Sequence, residues 1–109
     1  TPLAEAAKAN AALVGLAVDD VPPEQQRSSA STDLGNVSQV IPTFAVRFKV
    51  SESPVAGHST AMAEAAASAL AHENAIAVAK VLALTACDVL SQPGLLARAR
   101  ADFKARSRR

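Results

Sequence analysis

A chain of 109 residues can bury one modest core and no more. Half of it is hydrophobic, yet only 3% is aromatic and there is no Trp or Tyr, so that core is built from Ala, Val and Leu. A net charge of +1 gives no bulk attraction to a polyanion, and a single cysteine excludes both a disulfide framework and a Cys-rich zinc cluster.

Thr1-Pro2 is a good N-cap followed by a first helical position, and 2–14 (PLAEAAKANAALV) are strong helix formers. Glu5 and Lys8 mark the polar side and Gly15 is placed to end the run. An opening on a helix without Met leads us to expect a piece of a longer chain. The next stretch, AVDDVPPEQQRSSAS, is polar, carries Pro22-Pro23 and reads as a surface connection. In STDLGNVSQVIP (31–42), Ser31 or Thr32 caps a short helix over Asp33–Val40, which Pro42 closes.

The stretch FAVRFKV alternates with a period of two: Phe44, Val46, Phe48 and Val50 share one face, and Ala45, Arg47 and Lys49 the other. That pattern predicts a strand. A strand needs neighbours for its backbone groups, and Leu16–Val18 is the single weak candidate for another.

The longest predicted helix is 69–91, with Glu73, Lys80, Asp88 and Ser91 on one polar stripe. The rest of its circumference calls for burial, including Cys87, which is expected to be a buried, inert thiol. Pro93-Gly94 breaks it, and LLARARADFKARSRR forms a last helix ending in a basic tail. Without interleaved aromatics, that tail is expected to be a solvated helix end with no nucleic acid and no membrane as partner. With no signal-peptide pattern, the cytoplasm is the expected compartment.

The phosphate-binding Gly-Lys-Ser/Thr loop, Gly-x-Gly-x-x-Gly, Cys-x-x-Cys and His-Glu-x-x-His are all missing. Asp33, Glu52 and Glu64 show no spacing that pairs them, and His72 is expected to be a non-functional helix residue. His58, in PVAGHST, follows a glycine that permits a sharp turn and precedes Ser59-Thr60, which can cap what comes next. By local chemistry it is a surface residue, a cap or one ligand of a metal.

Taken in order, STDLGNVSQVIP, GHSTAMAEAAAS, AKVLALTACDVL and PGLLARARADFK resemble the C-terminal quarter of the aminoacylase/carboxypeptidase (M-twenty) family of dinuclear metallohydrolases. The nearest branch is that of amidohydrolases similar to p-aminobenzoyl-glutamate hydrolase. The resemblance covers nearly the whole chain, and Ser-Thr-Asp-x-Gly-Asn-Val-Ser is its most specific motif.

It implies an α/β fold: the chain would be the C-terminal segment of a three-layer catalytic domain with a mostly parallel sheet, 1–109 following a lid-domain insertion. It also implies hydrolysis of an amide bond in an N-acyl amino acid, an aminobenzoyl-glutamate-like compound or a dipeptide. The implied cofactors are two divalent metal ions, zinc first and manganese or cobalt as substitutes, with a homodimer formed through the lid. By the same resemblance, His58 is the last metal-ligand histidine. Ser31, Thr32 and Asn36 line the substrate cleft, while Asp33 orders their loop.

The chain departs from the family in reading Ser28-Ser29-Ala30 before the motif and Thr43-Phe44-Ala45 after Pro42. The His-x-Asp metal motif, the paired glutamates and the lid do not occur in these residues. We therefore expect this segment alone to be inactive. The rival reading is a non-catalytic fragment or degenerate relative serving as a structural module; a third is an unrelated Ala-rich helical module without a strand at 44–50.

Overall fold

The computed structural model describes residues 1–18 and 32–107. Among the described residues five helices follow one another: α1 (Pro2–Leu13), α2 (Leu34–Val37), α3 (Thr60–Ala66), α4 (Ala69–Ser91) and α5 (Pro93–Arg106). The long helices form because their ends are marked in the sequence. Thr1 Oγ1 accepts the Ala4 N–H at the start of α1. At its other end Gly15 takes φ 78°, so that Leu16 N–H reaches Ala11 O (2.9 Å) and Gly15 N–H reaches Ala12 O (3.2 Å). That left-handed ending satisfies carbonyls the helix cannot use, and glycine adopts it without a Cβ clash. Ser68 caps α4 by accepting the Ala71 N–H at 3.1 Å. After Gln92, Pro93 supplies a first helical position that needs no N–H of its own.

The architecture is helical, and it corrects the expected α/β fold. Among the described residues there is no strand and no sheet. Among the described residues, the segment 44–50 has no neighbouring strand, and Leu16–Val18 pairs with none either. The period of two survives in part: Phe44, Val46 and Val50 are partly covered while Ala45, Arg47 and Lys49 are exposed, but Phe48, on the apolar face, is exposed as well. Alternation specifies which side of a segment is covered; a ladder also needs a second backbone within reach. Side chains do the anchoring instead. Phe44 packs against the Ala7, Ala11 and Val81 cluster. Asn74 Nδ2 donates to Lys49 O (2.8 Å), and Ser68 Oγ donates to Val50 O (3.4 Å).

The core lies where α1 crosses α4, with α5 against both. It holds Ala7, Ala11, Ala71, Val78, Val81, Leu95 and Ala99, and alanines at the crossing let the helix axes approach closely. Two buried polar side chains join them, Asn10 and Thr85: Asn10 Nδ2 donates to Thr85 Oγ1 (3.2 Å) and to Asp88 Oδ2 (2.8 Å). Thr85 Oγ1 donates to Val81 O (2.8 Å), and Gln92 Nε2 donates to Asp88 Oδ1 (2.8 Å). Burying an amide this way is tolerated because its donors are used.

Asp88 thus faces α1 and is not part of a solvated stripe. The covered side of α4 is Ala71, Val78, Val81 and Thr85, whereas Ile76, Leu82, Leu84 and Leu90 are exposed. Cys87 is exposed too, against the expectation of a buried thiol. By length and mean hydropathy (1.5) α4 would also pass for a bilayer span. The molecule presents 8231 Å² to solvent, where a compact monomer of its mass would present about 5,700 Å².

Candidate functional site

His58 sits in the turn between the extended segment and α3. Its backbone is left-handed, φ 56°, and it is the one non-glycine residue in that region among the described residues. An L-residue there costs about 1–2 kcal/mol, although His tolerates it better than most. Gly57 lies in the turn with His58, but it is not the left-handed residue, and a Cβ built on it meets nothing described within 4 Å. His58 is exposed, and no described group hydrogen-bonds its imidazole.

Next to it, Ser59 is half-buried and caps α3. Its Oγ donates to Ala56 O (2.7 Å) and accepts the Met62 N–H (3.1 Å). Sequence reasoning found the cap but not the left-handed histidine in front of it. The glycine marked the turn, and which of its two residues is left-handed was not legible.

In the other predicted loop, Ser31 lies outside the described residues. Thr32 is exposed, and its Oγ1 accepts the Leu34 N–H (3.3 Å) while its carbonyl accepts the Gly35 N–H (2.9 Å). Asp33 occupies the N-cap position of α2 without a side-chain capping bond, so Thr32 orders this turn where Asp33 was expected to. The Asn36 backbone belongs to the turn, with its N–H on Asp33 O (3.0 Å), but its exposed side-chain amide makes no hydrogen bond to a described residue. It is therefore available to a ligand.

The structure does not gather these residues into one cavity. A groove of about 800 Å³ lies between α1, α4 and the 44–49 segment, lined by Phe44, Val46, Leu70 and Val78 among others. A smaller one of about 320 Å³ lies between the start of α1, residues 38–43 and the end of α5. Thr32, Asn36 and His58 line neither. Glu52 is paired with Lys49 at 2.7 Å, with both side chains exposed. Asp33, Glu64 and His72 are exposed.

No three His, Cys, Asp or Glu residues come together among the described residues. A zinc-type ion needs three or four protein ligands. The donor set here fits one ligand of such a centre, an exposed imidazole with free nitrogens held in an unusual backbone conformation. It does not make a centre by itself.

Comparison with known proteins shows what the chain is similar to. Xaa-Arg dipeptidase of Homo sapiens is 42% identical over 76 residues, covering 70% of this chain and 17% of that protein. The Mus musculus protein of the same name is 41% identical over 76 residues, with the same coverage. No protein-family model matches the chain, and no solved structure does. The chain is similar to part of these dipeptidases, and it spans about a sixth of the length of the curated relatives it matches.

Proposed function

We propose that this chain is part of a metal-dependent amidohydrolase or peptidase, in which His58 is one metal ligand and Thr32 and Asn36, with Ser31, border the substrate. The observation that carries the reading is the 42% identity with a dipeptidase over 70% of the chain. The exposed, left-handed His58 supports it, because strained non-glycine backbone clusters at functional sites. The outer faces of α4 and the extended segment would be covered by the remainder of a catalytic domain, which would also supply the other ligands.

When bound, a pair of divalent ions would supply a nucleophilic water and polarise the amide carbonyl. The work of this chain's own groups is narrower. His58 offers a neutral imidazole nitrogen, a donor that suits zinc or manganese. The Asn36 amide, with both donors and acceptor unspent, can hold a substrate carboxylate or amide. Thr32 fixes the turn that presents it. None of them serves as general acid or base, so this segment alone would be inactive.

Among N-acyl amino acids, aminobenzoyl-glutamate-like amides and dipeptides, a dipeptide ending in arginine is the first to try, after the names of the human and mouse relatives. The test is hydrolysis of Xaa-Arg dipeptides by the full-length protein loaded with zinc, with and without a chelator. Turnover abolished by chelation and restored by zinc supports the proposal. No turnover of any amide in these three classes, with metal bound, would favour the non-catalytic module.

A further inference from the structure

We draw no further inference here: the strongest candidate, the apolar groove of about 800 Å³ between α1, α4 and the 44–49 segment, carries nothing because nothing in the structure shows what covers it.

Discussion

Replacing Asn10 by Ala tests the helix packing on which every other position depends. Asn10 is 6% exposed, and its amide nitrogen serves two acceptors on α4. The 2.8 Å bond to Asp88 is charge-assisted and worth about 1.5–3 kcal/mol; the 3.2 Å bond to Thr85 is neutral and worth about 1 kcal/mol. Thr85 keeps Val81 O and Asp88 keeps Gln92, so neither partner is orphaned and the upper end of the range is not reached. The expected loss is about 3 kcal/mol, a large share of the roughly 5–15 kcal/mol available to a small domain. Urea denaturation followed by helical circular dichroism measures it. A companion, Asn10→Asp, sets a second carboxylate against Asp88 and should be worse than Ala at neutral pH. On acidification the folded pair takes up a proton more readily than the unfolded chain, so the variant should regain stability as pH falls. A loss under about 1 kcal/mol for Asn10→Ala, or an Asn10→Asp protein insensitive to acid, would refute this account of how α1 meets α4.

Other substitutions examine single features. His58→Gly should be more stable than His58→Ala by about 1 kcal/mol in thermal melts, since Ala keeps the left-handed strain that Gly lacks; equal melting points would mean that the turn is not left-handed in solution. Gly57→Ala should change the stability of this chain by less than about 1 kcal/mol, because its φ is ordinary and nothing described lies within 4 Å of the added methyl. A larger loss would show that another backbone lies against it. Val81→Ala, at a side chain 1% exposed, should cost about 2 kcal/mol, while Leu90→Ala, 86% exposed, should cost less than about 0.5 kcal/mol in the isolated chain. Reversal of that order would move the core to the other side of α4.

The helices were legible because their ends carry chemistry. The range 69–91 is predicted and observed alike, bounded by the Ser68 cap and by Pro93, and Gly15 ends α1 as its left-handed φ requires. The sheet was not there to be found. The alternation in 44–50 records which side chains are covered, and the backbone it would pair with is not among the described residues. Cys87 and the outer side of α4 show the same gap between apolarity and burial, since hydropathy shows what would gain from a cover and not whether one is present.

The Asn10–Thr85 contact joins residues 75 apart and left no mark beyond a lone Asn on the face of Ala7 and Ala11. At the candidate site, the motif drew attention to His58, Thr32 and Asn36. Their geometry was not legible: Thr32 orders the turn where Asp33 was expected to, and His58, not the glycine before it, is the left-handed residue.

The central claim is that His58 binds metal. Its most direct test is elemental analysis of zinc per chain in the full-length protein and its His58→Ala variant, both purified with zinc present. The account predicts at least one ion per chain in the wild type and a clear loss in the variant, with His72→Ala unchanged. Equal zinc in His58→Ala and wild type would contradict it.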